Sequence, residues 1–477
     1  MIFSKIEFLY YFLPITLILY YLAPMPGGST RVRNLTLLLA SLVFYAWGEP
    51  VYVFLMAAQC LSAWLFGLWI DKDRVKSKSL MLLSVALTLS GLLFFKYADF
   101  FITNSNILTG ANIPLFDLPL PIGISFYTFQ TMSYTIDLYR GNVEVQRNFF
   151  DFSTYVVFFP QLIAGPIVRY SDVAKELGSR VHSLPQFSLG ARRFILGLGK
   201  KVLLANLLGE LVDIYKKSGD SSMLFAWMYL LAYSLHIYFD FSGYSDMAIG
   251  LGHIFGFRFP ENFNYPYIAD SITDFWRRWH ITLSSWFRDY VYIPLGGNRV
   301  PPLRFSVNIL VIWMLTGFWH GADWNFMLWG LYFGVLMLVE KHLLGPILEK
   351  APMIARRLYV FFVLFISWTI FDGQGLADTL RALSCMFGFG GGFGSFGSFA
   401  SSGSFASAYA LYYLRSYGIP LLVGVIGSTP VPKQIAQRPT AQKVFQAAEP
   451  FALGLILLAS TAFVVDGSFN PFIYFRF

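Results

Sequence analysis

A histidine ends an apolar run of the chain, in a place where an ionisable side chain carries a cost. His320 follows residues 305–319, which are almost wholly apolar, and lies between Gly317 and Gly321. Low-dielectric surroundings favour the neutral imidazole, which is the form that accepts a proton. The flanking glycines would let a substrate carbonyl group approach closely. A general base and an ordinary histidine at the lipid headgroups fit this position equally well.

A second histidine, His280, lies in a segment whose periodicity predicts one amphipathic helix. Ser271 and Asp274 read as a capping box that opens this helix. Its apolar stripe comprises Ile272, Phe275, Trp279, Leu283 and Trp286. Its polar strip comprises Arg277, His280, Ser284 and Arg288. Such a helix lies at the membrane surface or under a cavity, and arginines that only snorkel towards water are the alternative interpretation.

Two carboxylates lie close to another apolar run. We expect Asp240 and Asp246 to form structural pairs with arginines or with polar backbone groups, because a buried carboxylate without a partner is costly. No Gly-x-Ser-x-Gly elbow supports a serine nucleophile. The two histidines are far apart and have no neighbouring cysteine or glutamate, so the sequence predicts no metal site.

Composition places these residues in a membrane protein. Of the 477 residues 56% are hydrophobic and 13% charged, whereas a water-soluble domain carries about a quarter charged residues. Apolar runs predict an all-α polytopic protein with about 11–12 transmembrane helices, together with re-entrant and amphipathic helices. The runs lie near residues 6–23, 34–48, 51–70, 79–101, 119–137, 150–168, 223–241, 305–320, 324–343, 357–371, 407–426 and 450–466. The net charge of +8 is scattered between these runs, which argues against nucleic acid as a partner.

Loop charges predict the orientation of the chain. The loop around Arg31 and Arg33 and the basic loop 71–79 are separated by two spans, so they share a face, and their charge assigns it to the cytoplasm. Both termini are then extracytoplasmic, which requires an even number of crossings. Residues 388–407 contain only Gly, Phe, Ser and Ala, which is typical of an interfacial loop. Residues 467–477 form an extracytoplasmic aromatic tail on this topology.

Five segments together resemble the membrane-bound O-acyltransferase family, and most closely its bacterial branch, the membrane subunits of alginate O-acetyltransferases. The segments are FPQLIAGP at 159–166, DFSGYSDMAIG at 240–250, FWRRWH at 275–280, LGGNR at 295–299 and GFWHG at 317–321. The similarity runs from the N-terminus to about residue 344 and is weaker in the last third. On this resemblance, residues 1–477 form a single membrane domain in the plasma membrane of a bacterium.

The resemblance implies the fold and the chemistry of acyl transfer. A ring of tilted helices would surround a central funnel, with His320 as the general base and His280 as an assisting group. The implied donor is cytosolic acetyl-CoA, whose phosphates would meet Arg277 and Arg288, although some relatives use a carrier protein. The implied acceptor is a polysaccharide such as alginate, reached through an extracytoplasmic acetyltransferase or esterase-like partner. Acyl transfer of D-alanine to teichoic acid, or to another envelope polymer, is the alternative.

The C-terminal tail also resembles a known motif. Residues 470–477 are similar to the C-terminal Phe/Tyr motif of the small membrane partner in teichoic-acid D-alanylation, in which a tyrosine is thought to receive the acyl group. Tyr474 would be that acceptor here. An ordinary aromatic belt at the membrane surface explains the same composition equally well.

Two other classes of protein remain open at this point. A secondary transporter would show inverted hydropathy repeats and paired broken helices, and the sequence has no such internal symmetry. A scaffold that only docks an extracellular enzyme would tolerate the loss of His320.

Overall fold

The regular elements of the described chain are all helices. The computed structural model describes residues 1–373, 375–389 and 404–466, and these contain α-helices and short 3₁₀ or π turns but no strand. Most of the Gly/Phe/Ser loop 388–407 and the whole tail 467–477 lie outside the described residues. The chain forms two compact units, the first from residues 1–197 and 244–261 and the second from residues 198–243 and 262 onwards.

Among the described residues, seven helices are long and apolar enough to cross a membrane. They are Tyr52–Lys72, Ser77–Thr109, Pro302–His320, Trp324–Lys350, Met353–Asp372, Ala408–Gly427 and Pro439–Val465. They confirm a polytopic all-α membrane protein. The other apolar runs in the described residues form helices that are shorter, broken or more polar. Residues 150–168, for example, contain two short helices separated at Phe158.

The first unit buries a helix that has many polar side chains. Its helices are α1 (Leu13–Leu22), α2 (Arg31–Ala46), α3 (Tyr52–Lys72), α4 (Ser77–Thr109), α5 (Ile124–Arg140), α6 (Phe149–Val157), α7 (Phe159–Leu162), α8 (Tyr170–Gly178) and most of α9 (Leu184–Gly199). Helix α5 packs against α3, α4 and α6 and is buried on nearly every side. Several of its Ser and Thr hydroxyl groups form hydrogen bonds within the protein, as Thr131 does to the Tyr127 carbonyl at 2.8 Å.

The second unit contains the histidines of interest. Its helices are α10 (Asn206–Ser218), the first part of α11 (Met223–Ile254), α12 (Ile272–Arg278), α13 (Ile281–Phe287), α14 (Pro302–His320), α15 (Trp324–Val339), α16 (Gly345–Lys350), α17 (Met353–Asp372), α18 (Leu376–Met386), α19 (Ala408–Gly427), α20 (Val431–Ala436) and α21 (Pro439–Val465). Helices α14 and α15 form an antiparallel pair joined by three residues.

Two glycines allow α14 and α15 to pack backbone against backbone. A Cβ atom on Gly317 would lie 2.1 Å from the Phe326 carbonyl oxygen, and one on Gly330 would lie 2.2 Å from the Trp313 carbonyl oxygen. Only glycine fits such a close approach between helices, and small residues serve the same purpose in other membrane bundles. This contact fixes the end of α14, where His320 lies.

Candidate active site

His320 is the last residue of α14 and is held among aromatic rings. Its side chain is 4% exposed. The imidazole meets the rings of Trp319, Trp329 and Phe371 edge to face, with centroids 5.0, 5.1 and 5.4 Å away. Beyond it the backbone becomes extended at Gly321 and re-enters a helix at α15, which the Asp323 side chain caps. The apolar run therefore does end in a buried imidazole, as the sequence pattern predicts.

The segment around His280 differs from the prediction of one continuous amphipathic helix. The Ser271 hydroxyl caps the Asp274 backbone N–H at 3.0 Å, as the capping pattern predicts. The helix nevertheless ends at Arg278, and α13 begins only after His280, whose φ of +43° lies in the left-handed region. A non-glycine residue in that region carries a strain of about 1–3 kcal/mol, and such strain clusters at functional sites. The single continuous polar strip was therefore a wrong prediction.

The break at His280 turns its ring into the protein. His280 is 1% exposed, whereas Arg277 and Arg288 lie on the surface. Arg288 pairs there with its neighbour Asp289, at 2.7 Å between Nε and a carboxylate oxygen. The structure thus separates the histidine from the two arginines that the helical pattern had placed beside it. Tyr474 lies outside the described residues.

The tautomer of His280 follows from its hydrogen bonds. The Asn262 side-chain oxygen accepts the Thr282 backbone N–H at 3.2 Å and the Thr282 hydroxyl at 2.9 Å. These donors identify that atom as the oxygen of the amide. His280 Nδ1, 3.2 Å from the same oxygen, must therefore be its third donor. The Nε2 atom then carries the lone pair. Burial lowers the pKa of His280 to about 3, so the ring is neutral at physiological pH.

The indole ring of Trp319 lies close to both histidine rings. The Trp319 ring lies 5.0 Å from the His320 ring and 6.0 Å from the His280 ring, centroid to centroid. His280 also meets Phe241 of α11 edge to face, with the ring centroids 4.7 Å apart. Two buried imidazoles that both lie within 6.0 Å of one tryptophan ring, centroid to centroid, form the candidate active site.

Buried charge anchors the helix that leads to His280. The Glu340 carboxylate is 6% exposed and accepts the backbone N–H groups of Ile272 and Thr273 at 2.7 and 3.1 Å. A carboxylate at a helix N-terminus satisfies free N–H groups and complements the helix dipole. Arg356 adds an ion pair to Asp270, at 2.9 Å, just before the helix. Sequence patterns gave no signal for Glu340, which is far from α12 in the chain.

The two carboxylates near α11 have structural partners, as expected. Asp240 forms a fully buried ion pair with Lys201 at 2.5 Å. Asp246, in the first unit, pairs with Arg193 at 2.8 Å, and Arg193 also binds Glu261 at 2.5 Å. The partner of Asp240 is a lysine rather than an arginine. Among the described residues no cluster of three His, Cys, Asp or Glu side chains could hold a metal ion.

Comparison with known proteins places this chain in a family. Residues 142–377, which include both histidines, match the model of MBOAT, the membrane-bound O-acyltransferase family. The chain is 44% identical to the probable alginate O-acetylase AlgI of Azotobacter vinelandii, over 82% of this chain and 79% of that protein. It is 35% identical to the peptidoglycan O-acetyltransferase of Helicobacter pylori, over 82% and 80% of the two chains. A teichoic acid D-alanyltransferase of Bacillus subtilis is 30% identical over 45% of this chain and 58% of its own length.

The fold and these matches define a polytopic membrane enzyme that acts as an O-acyltransferase. The chain belongs to the membrane-bound O-acyltransferase family.

The hydrogen bond between Asn262 and His280 gives a first test. Replacing Asn262 by Ala leaves the His280 ring and both Thr282 donors without their acceptor, which costs about 1–3 kcal/mol for each buried group that stays unsatisfied. We expect a lower thermal unfolding midpoint and a lower kcat for acyl transfer, with KM for the donor nearly unchanged. Asn264→Ala, in the same loop but on an exposed side chain, is the control. If the two variants had equal kcat values, Asn262 would have no role in the candidate active site.

Proposed function

We propose that this enzyme transfers an acetyl group from a thioester donor to a hydroxyl group, and that the acetyl group is destined for an extracellular polysaccharide. The observation that carries the proposal is the pair of buried imidazoles around Trp319, one of which ends a membrane-spanning helix. Relatives named for acetylation of alginate and of peptidoglycan support an acetyl group and an envelope polymer. The identity to alginate O-acetylases, which is higher than the identity to the peptidoglycan O-acetyltransferase, favours alginate or a polymer like it as the acceptor.

In this proposal His320 is the general base. Its imidazole removes the hydroxyl proton while the hydroxyl oxygen attacks the thioester carbonyl carbon. The new C–O bond forms, the C–S bond breaks, and the thiolate leaves with a proton returned from the imidazolium. A positioned general base contributes about 10² to 10⁴ in rate. The three rings around His320 restrict its orientation and keep bulk water away, which supports this role.

His280 has a positioning role in the same proposal. Its Nδ1 proton is committed to Asn262, so Nε2 can only accept a hydrogen bond. A neutral acceptor near the base would orient the attacking hydroxyl group towards His320. Because its pKa is about 3, His280 stays neutral over the working range, and its protonation does not set the pH dependence of transfer above about pH 5.

Substitution of His320 tests the proposed base. We expect His320→Ala to lower kcat by about 10² to 10⁴ while the protein still inserts and elutes as a folded species from size exclusion in detergent. His342→Ala, an exposed histidine beyond α15, is the matched control. Near wild-type transfer by His320→Ala would exclude His320 as the base. That result would also favour the alternative that the protein is a scaffold that docks another enzyme.

The proposed donor is cytosolic acetyl-CoA. Arg277 and Arg288 would bind its phosphates, because exposed guanidinium groups pair well with phosphate oxygens. Each belongs to the short helical segments next to His280, so a donor bound there would lie close to the candidate site along the chain. An acylated carrier protein, which presents a single phosphate on its prosthetic arm, is the other donor of this chemical class.

Neutral variants of the two arginines test the donor assignment. We expect Arg277→Met and Arg288→Met each to raise KM for acetyl-CoA about tenfold, the effect of losing one charge-assisted hydrogen bond, with little change in kcat. Arg415→Met, on an exposed position of α19, should leave KM unchanged. If all three variants have the same KM as the wild type, the donor phosphates bind elsewhere.

The acceptor requires a further protein in this proposal. We infer that an extracytoplasmic acetyltransferase or esterase-like partner completes the transfer to the polymer. The shorter match to a D-alanyltransferase favours a second candidate, transfer of D-alanine to teichoic acid. Acetylated and D-alanylated donors offered to the same purified protein would distinguish these two activities.

Tyr474 is the proposed first acceptor of the acetyl group. On this proposal, incubation of the full-length protein with acetyl-CoA adds the mass of one acetyl group to the C-terminal peptide. Tyr474→Phe should abolish that gain, because it removes only the hydroxyl group. Intact-mass and peptide mass spectrometry measure both. An unmodified Tyr474 in a protein that still transfers acetyl groups would leave the tail as an ordinary aromatic belt.

A further inference from the structure

A basic cluster lies in the first unit, outside the site described above. Arg33 is in the first turn of α2, and Arg180 and His182 lie in the loop between α8 and α9. Tyr20 of α1 contacts all three, with the two guanidinium carbons 5.2 and 5.8 Å from its ring centroid. Both arginines are buried, at 8% and 7% exposure.

Arg33 and His182 are satisfied within the protein. Arg33 donates through Nε to the Ala23 carbonyl at 3.3 Å and approaches His182 Nδ1 at 3.2 Å through Nη1. Because arginine only donates, His182 Nδ1 is the acceptor and Nε2 carries the proton. That proton points to the Tyr20 hydroxyl at 2.8 Å, which in turn donates to the Phe255 carbonyl at 2.8 Å. Each hydrogen bond in this series therefore has a defined donor and a defined acceptor.

Arg180 is the exception. None of its three guanidinium nitrogens has a hydrogen-bond partner among the residues that the structure describes. Its charge stacks on the Phe257 ring at 4.4 Å, and its main polar neighbour is the neutral Tyr20 hydroxyl, which is already engaged. Within the same described residues neither Arg33 nor Arg180 has a carboxylate at ion-pair distance. The nearby Asp151 is bound by the Asn34 amide at 2.6 Å.

Burial of a guanidinium group without a partner is strongly unfavourable unless a ligand supplies hydrogen-bond acceptors and negative charge. Five N–H donors in a planar fork match the oxygens of a phosphate group. Exposed apolar side chains lie beside the cluster along the chain, with Leu22 at 76% and Val181 and Leu184 both at 80% exposure. Such an apolar border suits the acyl chains of a lipid whose headgroup is phosphorylated.

We propose that Arg180, supported by Arg33, is a binding site for a phosphate group, supplied by the headgroup of an anionic phospholipid or by a soluble phosphate ester. The cluster lies at the start of α2, on the face that the loop charges predict to be cytoplasmic. Two cationic groups without a paired carboxylate select an anion over a zwitterion. The site is independent of the acyl transfer proposed above.

Binding to the full-length protein in dodecyl maltoside tests the site. Native mass spectrometry should show retention of phosphatidylglycerol at least tenfold above phosphatidylcholine in the wild type, and loss of that preference in Arg180→Met. Arg31→Met, an exposed arginine at the same end of α2, should keep the preference. A titration with inorganic phosphate forms the second arm. Stabilisation by phosphate without a preference for phosphatidylglycerol would assign the site to soluble esters.

Thermal unfolding distinguishes two roles of Arg180, that of a ligand-binding residue and that of a purely structural one. In phosphate-free detergent, Arg180→Met should be at least as stable as the wild type, because methionine fills the space without an unpaired charge. Added phosphatidylglycerol or phosphate should then raise the midpoint of the wild type alone. If the wild type gains from neither compound and prefers neither lipid, the proposal is wrong, whether or not the variant folds. The proposal would also be wrong if Arg180→Met were less stable than the wild type by the same amount with and without phosphatidylglycerol or phosphate.

Discussion

A polar group inside an apolar helical protein must find its partner within the protein, because neither lipid nor a dry core offers one. This constraint is visible at several buried polar groups of the second unit. Glu340 is buried where the first turn of α12 offers it free N–H groups. Lys201 and Asp240 are buried as an ion pair. His280 is buried with its ring bound to Asn262, which fixes both its orientation and the nitrogen that carries the proton.

The same constraint gives the candidate site its chemistry. The backbone contact of Gly317 with α15 places His320 at the end of a span, and aromatic rings then surround its imidazole. A neutral imidazole such as that of His280 can accept a proton at physiological pH without first losing one. In the first unit Arg180 departs from the rule, and this departure suggests a ligand there.

Much of this arrangement could be predicted from the sequence. Hydropathy predicted the all-helical membrane protein, and the apolar run that ends in His320 is a membrane-spanning helix with a buried histidine at its end. The break at His280 could not be predicted, since two short helices around a left-handed residue keep the apolar spacing of one long helix. Asn262 and Glu340 were missed because their roles depend on contacts between distant parts of the chain. Hydropathy alone also does not separate a helix surrounded by protein, such as α5, from one surrounded by lipid.

We propose that this protein moves an acyl group from a thioester on one side of the membrane to a hydroxyl group on the other. Inverted membrane vesicles that contain the protein and the proposed extracytoplasmic partner, supplied with radiolabelled acetyl-CoA from outside, test this transfer directly. We expect label to accumulate inside the vesicles in a base-labile ester linkage, protected from an esterase added outside. If the label stays on the donor, or enters the lumen without forming an ester, the proposed transfer across the membrane is wrong.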